Sequence, residues 1–253
     1  MPLKQTFFFR HQVTPFVILF VERDGSTFMT SLLQEHPDIE AVYERFAVME
    51  QKGQTGREQT AWAREFWTPP FIGKKGAYGF KTKLVDVLDK EGFIQLLREK
   101  QVKIIHMQRR NRIKAVVSRI NARRLYEATG NWNLYKDADR RPPMTIDIDE
   151  FHTFVREREE ADAALTEFVS HLQLPTELVQ YEQLQQDKNG VLQRIFPFLG
   201  VRYQPSAGKT KKHTSDDLRD VITNFDELVA TFAGTPYEAM FFEVLELAGS
   251  ETR

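Results

Sequence analysis

A short turn that combines glycine, hydroxyl and charged side chains, residues Glu22–Thr27, follows the most apolar segment near the start of the chain. A helix is expected to begin at the end of this turn, so its free N–H groups and its dipole would attract an anion. Gly25 lets a ligand approach the backbone closely, and Arg23 adds a fixed positive charge. The turn therefore predicts a phosphate-binding site. The alternative is an ordinary strand-to-helix turn that ends in a helix cap.

The familiar nucleoside-triphosphate motif, G-x-x-x-x-G-K-[ST], is not present in this turn. That motif places a lysine on the terminal phosphates and a hydroxyl on Mg²⁺. Its lysine is missing here, which argues against a kinase or a GTPase.

A second basic cluster, Arg109–Arg112, follows another apolar segment, and Ser118 stands eight residues beyond Arg110. Eight residues are just over two helical turns, so Arg110 and Ser118 reach one anion only if the chain bends between them. The alternative is a solvated, basic start of a helix, with Arg109, Arg112, Lys114 and Arg119 facing water.

Apolar segments typical of buried strands alternate along the chain with segments of helical periodicity. Strands are predicted at Phe16–Val21, Ile39–Tyr43, Ala77–Leu84, Val102–Met107 and Leu178–Tyr181, and helices at Ser26–Glu35, Val87–Leu97, Asn111–Arg124, Phe151–Leu172, Val191–Leu199 and Leu218–Phe232. Gly53–Gly76 is predicted to be a long loop with one helical piece, and Tyr237–Leu247 to dock on the sheet. The alternation predicts an α/β fold, an open, mostly parallel sheet flanked by helices, in a single domain over residues 1–253.

The composition limits the function classes. The chain has 253 residues, 35 Lys and Arg against 36 Asp and Glu, and no cysteine. A net charge of -1 gives no overall basic field, so we expect no nucleic-acid partner. The lack of cysteine excludes thiol catalysis and cysteine-based metal sites, and the histidines have no partners at ligand spacing. We expect no metal, no membrane span and a cytoplasmic location.

Several further motifs give the chain a resemblance to a known family. The Glu22–Thr27 turn, the Arg110–Ser118 spacing, the Gly79–Lys83 strand end, the Leu178–Leu184 segment and the Phe196–Val201 segment are together similar to P-loop sulfotransferases. The stretch from His36 to Glu44 resembles the bacterial carbohydrate-type and tyrosylprotein-type members. The resemblance runs from about Pro15 to Phe242 and implies a P-loop-containing fold.

The resemblance implies that 3'-phosphoadenosine 5'-phosphosulfate is the sulfuryl donor. Its 5'-phosphosulfate would lie on a loop that departs from the family at Asp24, where relatives have a small residue, and its 3'-phosphate on Arg110 and Ser118. Tyr181 would lie near the adenine, and Lys211 and Lys212 resemble the late basic loop that closes over the donor. The implied loop residues are Arg23, Asp24, Gly25, Ser26, Thr27 and Phe28.

Catalytic roles are implied by the same resemblance. Glu44 stands where the relatives have a general base, and Arg23 would stabilise the leaving phosphate. Either Lys83 or Lys81 would contact the sulfuryl oxygens. The acceptor is expected to be a carbohydrate or another small molecule with a hydroxyl group, and the oligomeric state stays open.

Two alternatives remain at this point. The first is a P-loop nucleotide-binding protein without transferase activity, whose function is to bind a partner. The second concerns Trp62 and Trp67, which would either stack on a sugar or aromatic acceptor or attach their loop to the core. His106 lies inside an apolar strand and is interpreted as a core histidine.

Overall fold

A parallel β-sheet forms the centre of the computed structural model, which describes residues 13–69, 75–134, 136–208 and 214–245. In this part of the chain the sheet has five strands in the order β2-β3-β1-β4-β5, and every pairing is parallel. The strands are β1 (Thr14–Leu19), β2 (Ile39–Val42), β3 (Ala77–Thr82), β4 (Lys103–Gln108) and β5 (Thr176–Gln180). The predicted α/β fold is confirmed.

The central strand β1 explains why the sheet is covered on both faces. Phe16 and Ile18 pack into one apolar cluster with helices on their face, whereas Val17 and Leu19 pack into another on the opposite face. A continuous apolar run is expected for a parallel strand, since both of its faces are buried. Leu19 pairs with Thr82 of β3 and with His106 of β4, so the carboxyl ends of three strands meet at one edge.

Helices flank the sheet in the described part of the chain. They are α1 (Ser26–Gln34), α2 (Arg45–Gln51), α3 (Gly56–Phe66), α4 (Lys90–Glu99), α5 (Arg112–Thr129), α6 (Ile148–Leu172), α7 (Tyr181–Gln186), α8 (Lys188–Phe198), α9 (Phe225–Ala230) and α10 (Glu238–Phe242). Short 3-10 turns cover Leu84–Asp86, Asp137–Asp139 and Leu218–Asp220. Helix α3 is the helical piece predicted within the 53–76 segment, and a capping box formed by Thr55 and Glu58 begins it.

Two predictions about the end of the chain are wrong. The predicted Leu218–Phe232 helix is interrupted, because the backbone of Val221 and Thr223 is hydrogen-bonded to Met144 and cannot continue a helix. The apolar segment after Tyr237 does not dock on the sheet within the described residues. Its Phe241 packs instead on aromatic rings of α6 and α9 and of the segment after α9, namely Phe151, Phe225 and Phe232.

Candidate active site

The turn Glu22–Thr27, called the anion loop below, connects β1 to α1 at the carboxyl edge of the sheet. Two residues of this loop have a positive φ, 70° at Arg23 and 79° at Gly25. Gly25 is the N-cap of α1, and its helix start has no side-chain cap among the described residues. The N–H groups of the first turn therefore have no intrahelical acceptor, which makes this end of α1 suited to an anion.

Tyr181 lies directly against the anion loop. A Cβ atom added to Gly25 would stand 2.5 Å from Cδ2 of the Tyr181 ring, so this position requires glycine for space as well as for its positive φ. The guanidinium of Arg109 lies over the Tyr181 ring, with its Cζ 4.4 Å from the ring centre. Tyr181 thus packs against Gly25 of the anion loop, and Arg109 packs against Tyr181. The expectation that Tyr181 contacts adenine stays a prediction.

Arg23 connects the anion loop to α5. Its Nε donates a hydrogen bond to Oγ of Ser118 over 3.0 Å, and its carbonyl oxygen accepts from Nη1 of Arg109 over 3.3 Å. Burial, reinforced by the nearby charge of Arg109, lowers the pKa of Arg23 to about 10. Arg23 therefore remains a cation at neutral pH, with its charge next to a buried hydroxyl.

Lys81 joins the anion loop to the expected base. Its ammonium, at the end of β3, donates to Oγ1 of Thr27 over 2.8 Å and lies 2.8 Å from Oε1 of Glu44. The Lys81 side chain is 3% exposed and that of Glu44 is 34% exposed. Burial lowers the pKa of Lys81, and the carboxylate of Glu44 opposes this shift. One buried cation thus contacts both the start of α1 and a solvent-accessible carboxylate.

Lys83 occupies a different position from Lys81. Its ammonium lies 3.5 Å from Oδ1 of Asp86, a carboxyl whose pKa is raised by burial. Of the two lysines expected at the sulfuryl group, Lys81 contacts the anion loop in the described structure. The role implied for Lys83 stays a prediction.

Arg110 is more than half exposed and faces two carboxylates. Its Nε lies 3.9 Å from Glu182, and its Nη2 lies 3.7 Å from Glu243. The hydrogen-bond partner of Ser118 is Arg23. The expected joint contact of Arg110 and Ser118 with a 3'-phosphate stays a prediction.

The similarity of this chain to known proteins agrees with an anion-binding site at the anion loop. The family model described as "Sulfotransferase domain" matches residues 14–225. The chain belongs to this family. It is an enzyme of the sulfotransferase class.

Relatives of this sulfotransferase include Nodulation protein H from two Rhizobium species. It is 26% identical to Nodulation protein H of Rhizobium tropici over 91% of this chain and 93% of the relative. It is also 26% identical to Nodulation protein H of Rhizobium meliloti over 91% of this chain and 95% of the relative. A crystal structure of a sulfotransferase from Alicyclobacillus acidocaldarius has the same fold, with a TM-score of 0.51, 16% identity, and coverage of 90% of this chain and 94% of that one.

The side chain of Asp24 in this sulfotransferase has its partners inside the protein, and its expected place among the donor-binding residues stays a prediction. Its side chain is fully buried and forms an ion pair with Arg158 of α6. Its other carboxylate oxygen accepts from the backbone N–H of Val21 over 3.1 Å. Burial raises the pKa of Asp24 to about 7, and the Arg158 guanidinium opposes this rise. The carboxylate thus points into the protein, away from the start of α1.

Phe28 and the two late lysines complete the expected donor residues. Phe28 packs on the core under α1 and against Gly208, where an added Cβ would lie 2.5 Å from its Cε2. Lys211 and Lys212 lie outside the described residues. Their roles, and a direct contact between Phe28 and the donor, stay predictions.

The sequence interpretation missed several residues of the site. Arg109 was considered only in the alternative of a solvated helix start, yet it is buried and donates to the carbonyl oxygen of Arg23. Its position one residue after β4, at the carboxyl edge of the sheet, is the signal that could have identified it. Arg158, in the middle of α6, belongs to no motif that the sequence analysis identified, and only 5% of it is exposed.

Of the two alternatives left open for Trp62 and Trp67, the structure supports attachment to the core. Trp62 stacks on Phe66 with ring centres 5.1 Å apart, and Trp67 stacks on Phe80, so both belong to the core. An exposed aromatic pair lies elsewhere: Tyr126 and Trp132 are stacked at 4.4 Å, with 44% and 52% of their surfaces exposed.

Neither a metal site nor a membrane span is seen in the parts of the chain described above. No group of three or more His, Asp and Glu side chains is arranged to hold a metal ion within residues 13–69, 75–134, 136–208 and 214–245. Over the same ranges, no helix has the length and hydropathy needed to cross a membrane.

Proposed function

We propose that this sulfotransferase moves the sulfuryl group of 3'-phosphoadenosine 5'-phosphosulfate to a hydroxyl group of a carbohydrate acceptor. The observation that carries the proposal is the double contact of Lys81. Its ammonium lies 2.8 Å from Oγ1 of Thr27 and 2.8 Å from Oε1 of Glu44. An anion at the start of α1 and a hydroxyl at Glu44 would therefore approach the same cation from two sides.

The transfer exchanges one S–O bond for another. The bond from sulfur to the donor's 5'-phosphate breaks, with the electron pair remaining on the phosphate, while the acceptor oxygen bonds to sulfur and its proton passes to Glu44. Arg23 and the N–H groups of α1 would stabilise the charge that develops on the leaving phosphate. Lys81 would lie beside the transferred oxygens. Positioning and fixed positive charge supply most of the acceleration in related group transfers with loose transition states.

Ser118 and Arg110 are the residues that we propose for the second phosphate of a donor with a phosphate at the 5' and the 3' position of its ribose. The Oγ of Ser118 lies 3.0 Å from Nε of Arg23 and is buried on α5. Arg110 lies just before the same helix and is half exposed. A 3'-phosphate could take the place of Glu182 and Glu243 as the anionic partner of its guanidinium. A nucleotide without the 3'-phosphate would leave this second position empty and should bind less tightly.

The exposed aromatic pair supports a sugar acceptor. Trp132 belongs to the segment after α5, and its carbonyl oxygen accepts from Nη1 of Arg23 at 3.5 Å. The stack of Tyr126 on Trp132 is thus attached to the residue that faces the donor. Large, rigid aromatic faces that remain half exposed beside a polar site offer an apolar surface for the C–H faces of a sugar ring.

The donor half of the proposal is tested with the reaction product, 3'-phosphoadenosine 5'-phosphate. At a hundredfold excess over its dissociation constant, it should stabilise the fold by about 3 kcal/mol in a thermal-unfolding experiment. AMP at the same concentration should give a much smaller shift. Equal shifts from both nucleotides, or none, would contradict the two-anion donor site.

The acceptor half is tested by transfer of radiolabelled sulfate from the donor to a panel of oligosaccharides and phenols. Trp132→Ala should raise the KM for a sugar acceptor about tenfold, with little change in the donor KM, because in this proposal the removed ring contacts the acceptor and not the donor. Tyr203→Ala is the matched control, since Tyr203 is a 37% exposed aromatic residue that packs on Phe196. An unchanged sugar KM in Trp132→Ala would contradict the acceptor site.

Labelled product with any acceptor excludes the alternative of a nucleotide-binding protein without transferase activity. Binding of the bisphosphate without transfer to any member of the panel would favour that alternative. The family match and the intact Glu44–Lys81–Thr27 arrangement support the enzyme.

A further inference from the structure

A largely buried group of charges contacts the anion loop. Asp24 is fully buried and its carboxylate pairs with the guanidinium of Arg158, from the middle of α6. The same guanidinium lies 2.9 Å from Asp162, one turn further along the helix. Asp162 is in turn 3.0 Å from Nε of Arg112, which begins α5. The group therefore contains two acidic and two basic side chains from three elements of the fold.

This group bonds to the backbone that precedes Arg23, and Asp24 follows Arg23 directly. Nη1 of Arg158 donates to the carbonyl oxygen of Glu22 over 2.7 Å. Asp24 accepts the N–H of Val21 over 3.1 Å. Two backbone groups that the turn would otherwise leave without partners are thus satisfied by a single ion pair.

Arg23 needs such support because its backbone is strained. Its φ of 70° lies in the left-handed region, which residues with a Cβ atom rarely adopt. That conformation also directs its side chain toward Ser118, with Nε 3.0 Å from Oγ. Any relaxation of the turn would therefore move the cation of Arg23 away from this position.

Stability alone does not explain a buried ion pair. Removing two charges from water costs several kcal/mol per ion, and well-packed apolar residues often replace such pairs without loss. Here the pair also makes hydrogen bonds to the backbone of one specific turn. Its geometry matches a role in shaping that turn.

We propose that Asp24 and Arg158 are positioning residues, which hold the anion loop in its strained conformation so that Arg23 and the start of α1 face the same anion. This inference rests on the proposed function, because it takes the anion loop as the donor site. It accounts for a carboxylate beside an anion site: the charge of Asp24 is directed inward and is neutralised by Arg158.

The two residues should respond differently to replacement. Asp24→Asn leaves Arg158 with Asp162 as its partner, so no buried charge loses all of its opposite charge. Arg158→Met leaves the carboxylates of Asp24 and Asp162 near each other without their shared cation, which is strongly destabilising. Asp24→Asn is therefore the variant for binding measurements, and Arg158→Lys, which keeps the charge but loses the planar fork, is the second.

The test is calorimetric binding of 3'-phosphoadenosine 5'-phosphate to folded full-length variants, with stability measured in parallel by urea unfolding. We expect the dissociation constant to rise about tenfold in Asp24→Asn, and to rise in Arg158→Lys as well. The matched control is Leu165→Ala, a buried truncation on the same helix, away from the anion loop. It should lower stability by more than Asp24→Asn does and leave the dissociation constant unchanged.

The outcomes separate the two proposals. If the wild-type protein binds the bisphosphate and Asp24→Asn binds it equally well, the pair is merely structural and the positioning role is wrong. If Leu165→Ala weakens binding as much as Asp24→Asn does, the effect follows from lost stability, and the role is again wrong. A wild-type protein that does not bind the bisphosphate at all removes the donor assignment itself, and the positioning role with it.

Discussion

Gly25→Ala tests the link between the backbone of the anion loop and the donor site. The methyl group would meet two separate obstacles. Gly25 has a φ of 79°, and its added Cβ would stand 2.5 Å from Cδ2 of Tyr181. An ordinary contact begins near 3.4 Å, so the ring must move by about an ångström away from the loop. That movement would also disturb Arg109, which stacks on the same ring.

The two obstacles have separate magnitudes. A left-handed conformation costs an alanine about 1–2 kcal/mol. Forcing a methyl group into a well-packed place costs about 1–3 kcal/mol more. We therefore expect Gly25→Ala to lower the free energy of unfolding by about 2–5 kcal/mol, and to weaken binding of the bisphosphate, because the N–H groups beside Gly25 are displaced.

Gly130→Ala is the matched control. Gly130 ends α5 with a φ of 73°, and an added Cβ there meets no described atom within 4 Å. It should cost only the conformational part, about 1–2 kcal/mol, and leave bisphosphate affinity unchanged. Urea unfolding followed by circular dichroism gives the stabilities, and calorimetry gives the affinities.

A mutant cycle identifies the contact with Tyr181. In a Tyr181→Ala background the ring is absent, so Gly25→Ala should cost about as much as Gly130→Ala does. The reasoning is refuted if Gly25→Ala loses no more stability than Gly130→Ala and binds the bisphosphate as tightly as the wild type. A cost of Gly25→Ala that is the same with and without the ring would also refute it.

Three further predictions concern the acceptor side and the core. Glu44→Gln should lower kcat about a hundredfold or more with nearly unchanged donor affinity, since the amide cannot take a proton; full activity at saturating donor would exclude Glu44 as the base. Lys81→Met should lower kcat much more than Lys83→Met, because Lys81 contacts the anion loop; steady-state kinetics showing equal losses would contradict this ranking. Burial lowers the pKa of His106 in the folded state, against the opposing charge of Asp162, so protonation favours the unfolded chain. The wild type should lose more stability than His106→Gln as the pH falls below about 6.5. Urea unfolding midpoints that change equally in the two proteins from about pH 7.5 to 5 would contradict this.

The fold was predictable because the strands are buried on both faces. A continuous apolar run such as that of β1 has few alternatives in a chain of this composition, and its alternation with helical segments implies a parallel sheet. The errors lie where tertiary contacts override local periodicity. The 218–232 segment has helical spacing, but Asn224 and its neighbours bond to the backbone around Ile146 and interrupt the helix.

The candidate site was predictable where a residue's role depends on its neighbours along the chain. The anion loop, α1 and the residues Arg23 and Gly25 form one continuous segment, so their local geometry follows from their types. The family match supports the same assignment of class. The partners of these residues come from distant parts of the chain, and no local pattern identifies them.

The sequence by itself determined the sheet, the glycine-containing turn before a helix and the class of the enzyme, because each depends on short-range patterns of apolar, small and charged residues. Only the tertiary structure decided which charges face the ligand. Asp24 and Arg23 are adjacent in sequence, yet the first pairs with Arg158 of α6 and the second bonds to Ser118 of α5. The physical reason is burial: a charge removed from water must find a partner, and the partner's position is set by packing between elements far apart in the chain.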